Sequence, residues 1–411
     1  MSRIKDVSLA PSGEMKIRWV ERNMPVVRGI YEEFAETKPL AGLKVALSVH
    51  LEAKTAYLCL AMAAAGAEMY VTGSNPLSTQ DDVAAALVKA GLQVFATYGC
   101  TMDEYEDNLR EVLKPGPNII IDDGGDLVHL MHTEFTDLIP NVIGGCEETT
   151  TGIHRLKAMA KAGELKFPMV AVNDADCKHM FDNRYGTGQS VWDGILRTTN
   201  LVIAGKYVVV SGYGWCGKGV TMRGKGLGAK IIVTETDPVR ALEAVMDGFE
   251  VMPMAEAARL GDIFITVTGC SGVVTTEHML SMKDGAIVCN AGHFDVEVDI
   301  AGLRELAVEE YDARRNIKGY VLPNGRTIFA IADGRLVNLA AADGHPAEIM
   351  DMSFAIQALS SQFLAQHSSE LEPGVISVPA EINEAVARRK LAAMGIAIDA
   401  LSEQQEKYLG L

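Results

Sequence analysis

Between Tyr207 and Arg223 the chain reads YVVVSGYGWCGKGVTMR: a β-branched run, three glycines spaced G-x-G-x-x-G, then a helix-like stretch. That arrangement suits a dinucleotide. Gly212 makes the tight turn, Gly214 lets a pyrophosphate approach the backbone, and Gly217 packs helix on strand. The helix N-terminus offers unpaired N–H groups and a positive dipole end to the phosphates. The next apolar run, Lys230–Glu235, ends in an acid 23 residues beyond Gly212, near the roughly 20 expected of a ribose-binding carboxylate. A carboxylate there accepts from a 2′-hydroxyl and repels a 2′-phosphate, which favours NAD over NADP; Arg240 close by blurs that distinction.

A second set of polar residues falls where other strands should end. The first half of the chain holds candidate strands Lys44–His50, Glu68–Gly73, Leu92–Thr97, Asn118–Asp123, Val142–Gly145 and Met169–Asn173. At or just past their ends stand His50, Ser74, Asn75, Asp122, Asp123, Asp126, Glu147, Glu148, Thr149, Thr150, Thr151, Asn173 and Asp174. The second half adds Asn290 with His293 and Asn338 with His345. Any one Asp or Asn could be a turn or cap residue. All of them at the same end of their strands imply a polar ligand with several hydroxyls, facing a nicotinamide across a cleft. Lys178 and Asp182 follow at i and i+4, one face of a helical turn. Beside a cleft such a Lys can be desolvated and act as a proton acceptor. His129, His132, His154, His179, His278 and His367 read as structural or exposed.

These side chains need a scaffold. Further apolar runs lie at Ile263–Thr268, Ala286–Asn290 and Thr327–Ala332, and helix-like stretches separate nearly all of them. Near-continuous apolar strands alternating with helices indicate parallel sheets covered on both faces. There are too many strands for one mononucleotide-sized half. The expected fold is therefore α/β, with two doubly wound, Rossmann-like parallel-sheet domains joined by a hinge and followed by a helical C-terminal tail. The polar, Gly-rich stretch Asn183–Trp192 is the expected hinge, Trp192–Gly205 the helix after it, and Gly344–Pro346 a second boundary. This divides the chain into a substrate unit, residues 1–183 completed by 347–395, a dinucleotide unit, residues 190–345, and a tail, residues 396–411. The apolar-faced helix Met350–Gln366 should dock on the first unit or on a neighbouring subunit.

Composition narrows the function further. The 411 residues suit two to three domains at roughly 150 residues each. With 54 acidic against 37 basic residues the net charge is −17, which weighs against nucleic-acid partners and anionic membrane surfaces. The seven cysteines stand alone, without a CxxC, so neither a disulfide framework nor a metal site is expected. The N-terminal stretch lacks an apolar leader, and no apolar run approaches the ~20 residues of a membrane span. The expected location is the cytoplasm.

The strand-end motifs HLEAKTA (His50–Ala56), SNPLSTQD (Ser74–Asp81), DDGGD (Asp122–Asp126) and EETTTG (Glu147–Gly152) resemble those of the S-adenosylhomocysteine hydrolase family. So do KHMFDNRYG (Lys178–Gly186), GYGWCGKG (Gly212–Gly219), VTETDP (Val233–Pro238), CNAGHFDVE (Cys289–Glu297) and GRLVNLAAADGHP (Gly334–Pro346). The match runs in order over nearly the whole chain. It implies reversible hydrolysis of S-adenosylhomocysteine to adenosine and homocysteine, a tightly held NAD, a hinged two-domain fold and a homotetramer. In that chemistry oxidation at C3′ acidifies the C4′ hydrogen, homocysteine leaves by elimination, water adds, and the ketone is reduced again.

The resemblance also implies roles. Lys178 and Asp182 act at the 3′-hydroxyl, with Glu148 orienting that part of the ribose. Asp123 is the base at C4′, and His50 serves the departing thiol and incoming water. His293 and His345 complete the closed site. Asn183 lies beside ribose and nicotinamide, Thr149, Thr150 and Thr151 contact the cofactor, and Asn338 contacts the nicotinamide amide.

Three departures from the family pattern stand out. Lys54 occupies the place of a Glu that reads the adenine amine, two positions after Glu52 and one before Thr55. A Lys donates and cannot accept, which suits the O6 of hypoxanthine and hence S-inosylhomocysteine. Alternatively Glu52 or Asp343, the latter standing where a Met is common, reads the amine, and Lys54 pairs with Glu52 or faces solvent. Thr187 replaces a Cys near the nicotinamide. The chain ends at EKYLGL, without the extension that reaches a neighbour's NAD, so a looser cofactor grip is expected. Two other classes compete: a net NAD-dependent dehydrogenase, for which no arginine with a His–Glu pair is evident, and a catalytically silent relative.

Overall fold

The computed structural model describes residues 2–410. Within them fifteen strands follow in chain order: β1 (Lys44–Ser48), β2 (Glu68–Thr72), β3 (Gln93–Val94), β4 (Ile119–Asp122), β5 (Gly144–Glu147), β6 (Pro168–Ala171), β7 (Tyr207–Ser211), β8 (Lys230–Thr234), β9 (Glu250–Val251), β10 (Ile263–Thr266), β11 (Ala286–Asn290), β12 (Glu309–Arg314), β13 (Ile317–Val321), β14 (Thr327–Ile331) and β15 (Gly374–Ser377). They build two sheets. The first has the order β15-β6-β5-β4-β1-β2-β3, and every pairing in it is parallel. The second runs β12-β13-β14-β11-β10-β7-β8-β9.

Both sheets are covered on two faces, as the unbroken apolar strands require. Along β4, Ile119 and Ile121 enter one core while Ile120 enters the core on the opposite face. In β7, Val208 and Val210 are likewise separated from Val209. Strand order reverses between β1 and β4 in the first sheet and between β7 and β10 in the second. Loops diverge at such a point and leave a crevice past the carboxyl ends. His50 and Asp123 therefore emerge at one crevice and Gly212 at the other.

Four elements differ from the sequence expectation. β12 and β13 form an antiparallel edge with β14, so the second sheet is mixed. β12 reads EEYDAR and is largely exposed; an edge strand has no apolar run to mark it. β9, only two residues long, extends the other edge beside β8. β15 pairs with β6 inside the stretch expected to be helical.

The expected glycine-rich hinge is instead helical, with a π-helical turn at His179–Gly186 continuing into the helix Thr187–Thr199. Its glycines serve close approach. A Cβ on Gly188 would lie 2.7 Å from the Gly219 backbone, and one on Gly194 would lie 2.5 Å from the Val337 carbonyl. The helix Ala347–His367 turns back onto the first sheet and packs against the helices Pro25–Thr37 and Ala53–Ala64. No helix among the described residues is long and apolar enough to cross a membrane.

Candidate active site

At the first crevice β1 delivers His50 and β4 delivers Asp123. His50 Nε2 lies 3.4 Å from Asp123 Oδ2. Ser74, past the end of β2, donates to Asp123 Oδ2 at 2.9 Å and sits 3.2 Å from His50 Nδ1. His293 arrives from the second sheet, its Nδ1 3.9 Å from Asp123 Oδ1. It reaches this position because Gly124, at φ +112°, has no side chain; a Cβ there would lie 2.6 Å from His293 Nε2. Burial lowers the His50 pKa to about 4, against the pull of Asp123. The imidazole is thus neutral at pH 7. Burial works against ionised Asp123, but His50, His293, Ser74 and Lys178 outweigh it and hold the carboxyl below its ordinary range. His50, Asp123 and His293 bring possible ligand atoms within 4.8 Å of one another.

A second cluster adjoins it. Lys178 is buried with its Nζ 3.4 Å from Asp182 Oδ2 and 3.6 Å from Glu148 Oε1. The π-helical turn brings residue i+5 as well as i+4 onto this face, so Lys178 also donates to Asn183 Oδ1 at 2.9 Å. Asn173, at the end of β6, accepts from Asn183 Nδ2 at 3.1 Å. His345 reaches across to Asp182, Nδ1 to Oδ1 at 2.7 Å.

Charge in this cluster is unequally distributed. Burial alone would depress the Lys178 pKa, but Asp182 and Glu148 outweigh it and hold the ammonium above its ordinary value. Asp182 feels the same burial and is held well below the usual carboxylate range by Lys178, His345 and Ser353. Burial wins at Glu148, whose pKa rises to about 8 despite Lys178. Its two acid neighbours thus stabilise the Lys178 ammonium against the cost of burial.

The second crevice forms a cradle that fits a dinucleotide. Gly212 takes φ +99°, and a Cβ on Gly217 would lie 2.0 Å from the Gly212 carbonyl oxygen. The helix Trp215–Gly226 begins at Gly214 with no side-chain cap, which leaves its first N–H groups available to phosphate. Glu235 accepts from Tyr213 N at 2.7 Å. Burial raises its pKa, but backbone N–H groups of Asp237, Tyr213 and Thr236 outweigh this and keep it ionised. Arg240 lies beside Gly214, with a guanidinium nitrogen 3.8 Å from where its Cβ would be. Asn338 Nδ2 donates to Ser190, whereas its buried Oδ1 has no partner. That orphaned acceptor suits a carboxamide N–H, as the nicotinamide role requires. Thr149, Thr150 and Thr151 open the helix after β5, with Thr151 Oγ1 3.9 Å from a Cβ at Gly269 of the second sheet.

The expected base-reading residues gather separately. Glu52 caps the helix Ala53–Ala64, accepting from Lys54 N and Thr55 N. Lys54 Nζ lies 2.7 Å from Glu52 Oε2 and donates to the Asp343 carbonyl at 2.9 Å. Asp343 turns its carboxylate to Arg197 at 3.0 Å, largely exposed. Thr55 Oγ1 donates to the His50 carbonyl at 2.6 Å and ties this helix start to the first cluster. Glu52 and Asp343 line a cavity of about 720 Å³ with Ser78, Thr79, Gln80 and Arg197. Thr187 Oγ1 stands 3.3 Å from His345 Nε2 and 3.6 Å from Cys216 Sγ.

Sequence reasoning missed Ser353 and Gln357, which contact Asp182 and Glu148 from the helix Ala347–His367. It also assigned no role to Glu147, which accepts from Gly124 N at 2.8 Å and Thr149 N at 3.0 Å and so joins the Asp123 loop to the Thr149–Thr151 turn. Polar residues one turn apart in an apolar helix were the available signal for the first two.

Comparison with known proteins agrees with this geometry. The family model described as S-adenosyl-L-homocysteine hydrolase, NAD binding domain, matches residues 183–344. The model described as S-adenosyl-L-homocysteine hydrolase matches residues 1–138. An adenosylhomocysteinase of Thermococcus kodakarensis is 58% identical over 99% of this chain and 96% of its own length. An S-inosyl-L-homocysteine hydrolase of Methanococcus maripaludis is 57% identical over 100% of this chain and 98% of its own length. The adenosylhomocysteinase of Aquifex aeolicus is 58% identical, covering 99% and 97%. With both crevices formed and these relatives matched end to end, the chain belongs to the S-adenosyl-L-homocysteine hydrolase family and carries its NAD-binding domain.

Proposed function

We propose that this protein catalyses reversible hydrolysis of S-adenosyl-L-homocysteine to adenosine and homocysteine, with the two clusters dividing the work. The observation that carries this reading is their adjacency: a buried ammonium with two unequal acids beside a neutral histidine and an ionised aspartate. Bound NAD supplies a reversible hydride acceptor for the 3′ carbon. The Lys178 ammonium stabilises negative charge developing on the 3′ oxygen. Glu148 Oε1, which has no hydrogen-bond partner, takes the hydroxyl proton. Asp123 then accepts the C4′ hydrogen as a proton, and elimination expels the thiolate. His50, 3.4 Å from Asp123, relays that proton to the departing sulfur and afterwards orients water at C5′. His293 and His345, both supplied from beyond β11, close the site over the ribose.

The units 1–183 with 347–395 and 190–345 are proposed as substrate domain and cofactor domain, with 396–411 as a short C-terminal tail. A cytoplasmic homotetramer is proposed with them. Two exposed apolar faces suit such contacts: Val239, Leu242 and Met246 on the helix Pro238–Met246, and Ile396, Ile398 and Leu401 in the tail.

Adenosine is the proposed nucleoside. Lys54 is engaged by Glu52 and the Asp343 carbonyl, so Glu52 Oε1, which accepts only a 3.4 Å bond from Thr55 N, is the acceptor with capacity left for an exocyclic amine. The remaining N–H of the Lys54 ammonium favours a second reading, S-inosyl-L-homocysteine. Competition between adenosine and inosine for homocysteine decides it. Adenosine should be preferred, and Lys54→Glu should strengthen that preference; preference for inosine, reversed by Lys54→Glu, would establish the second reading.

A further inference from the structure

The helix Ala347–His367 carries its polar residues where a core helix should have none. Ser353 and Gln357 are both 0% exposed and lie among Met352, Phe354, Ala355, Ile356 and Ala358. Burying a hydroxyl or an amide there is costly unless it is hydrogen-bonded. Ser353 Oγ donates to Asp182 Oδ2 at 2.7 Å. One turn on, Gln357 Nε2 donates to Glu148 Oε2 at 2.5 Å. A single helix thus fastens one oxygen of each acid that flanks Lys178.

The two acids differ in what holds the other oxygen. Asp182 Oδ1 is engaged by His345 at 2.7 Å, so both oxygens of that carboxylate have partners. Glu148 Oε1 is buried without a hydrogen-bond partner and lies 3.6 Å from Lys178 Nζ. Gln357 also has an unpaired oxygen, Oε1, so the amide is oriented wholly by its contact with Glu148. The charged and titratable groups facing Glu148 include Lys178, Asp182, Asp123 and the Cys146 thiol.

We propose that Gln357 and Ser353 are positioning residues for the 3′-hydroxyl step, making Asp182 the fixed counter-ion of Lys178 and leaving one Glu148 oxygen free to exchange the hydroxyl proton. This rests on the function proposed above. In the step the O–H bond breaks, the oxygen keeps the electron pair beside the Lys178 ammonium, and the proton bonds to Glu148 Oε1. It returns to the same oxygen in the reverse direction.

The test is single-turnover reduction of bound NAD by adenosine, followed by absorbance across a pH series on the NAD-loaded enzyme, with melting temperatures alongside. Gln357→Met removes the donor at similar volume. It should slow reduction at saturating adenosine by about tenfold or more, with little change in adenosine affinity, as expected when a transition-state interaction is lost. Gln357→Glu places a second carboxyl against Glu148 and should move the acid limb up by about one pH unit or more. Ser353→Ala should slow reduction without moving that limb, and Ser353→Thr should restore it. Should the Met variant not fold, the near-isosteric Glu variant decides alone. Variants that melt lower yet keep the wild-type rate and pH profile would overturn the proposal by reducing both residues to core packing. No reduction in the wild-type enzyme by adenosine or inosine would overturn the functional reading itself.

Discussion

Asp123 and Lys178 lie in adjoining clusters but should fail differently when changed. Asp123→Asn is expected to slow thioether turnover by about 10²–10⁴-fold, the usual worth of a general base, while adenosine still reduces bound NAD. Lys178→Ala should abolish that reduction as well. Stopped-flow absorbance beside product analysis separates the two; equal loss of both steps in Asp123→Asn would contradict the division. The acid limb carries a sign. Glu148 must be ionised to accept a proton, and burial raises its pKa to about 8, so the reduction rate should climb through neutral pH and level off above about 8. A rate falling over that range would contradict the assignment. His50, Asp123, Glu148 and Asn173 were legible in the sequence because strand ends in a doubly wound sheet announce themselves. The protonation state of Lys178 was not, because it depends on how closely Asp182 and Glu148 approach. Nor was the engagement of Lys54, which pairs with a helix-capping Glu52 and a carbonyl nearly three hundred residues away.

Among the elements, the π-helical turn at His179–Gly186 matters most to the site. It turns both Asp182 and Asn183 toward Lys178, which the sequence reading of a simple i, i+4 pair did not show. The helix Trp215–Gly226 packs against the same turn so closely that a Cβ on Gly219 would lie 1.7 Å from the Arg184 carbonyl oxygen. Gly219→Ala must therefore force the two apart, two residues from Lys178's partner Asp182 along the chain. It should destabilise by about 1–3 kcal/mol and weaken NAD retention, measured by melting temperature and cofactor release on gel filtration; wild-type values would contradict this packing argument. The central strands were legible because burial on both faces demands continuous apolar runs. β12 and β15 were not, since edge strands carry charge or stand half-buried. The glycines near the expected hinge misled for another reason: they permit helix contact instead of breaking helices.

At the scale of the molecule, two sheets present their strand-order reversals to a common cleft. Residues from both complete each cluster: His293 meets Asp123, and His345 meets Asp182. The site is therefore complete only where residues from both halves of the chain meet. The exposed tail gives a separate expectation. Full-length protein should sediment as four chains, and deletion of residues 396–411 should yield smaller species; an unchanged assembly would remove the tail from the interface. The central claim, that the dinucleotide is used and restored within each turnover, is tested most directly in the synthetic direction. Homocysteine, adenosine and NAD are incubated with the enzyme, and thioether and NADH are counted together. The account predicts many equivalents of S-adenosylhomocysteine per subunit and at most about one of NADH. NADH accumulating with turnover, and no thioether formed, would contradict it.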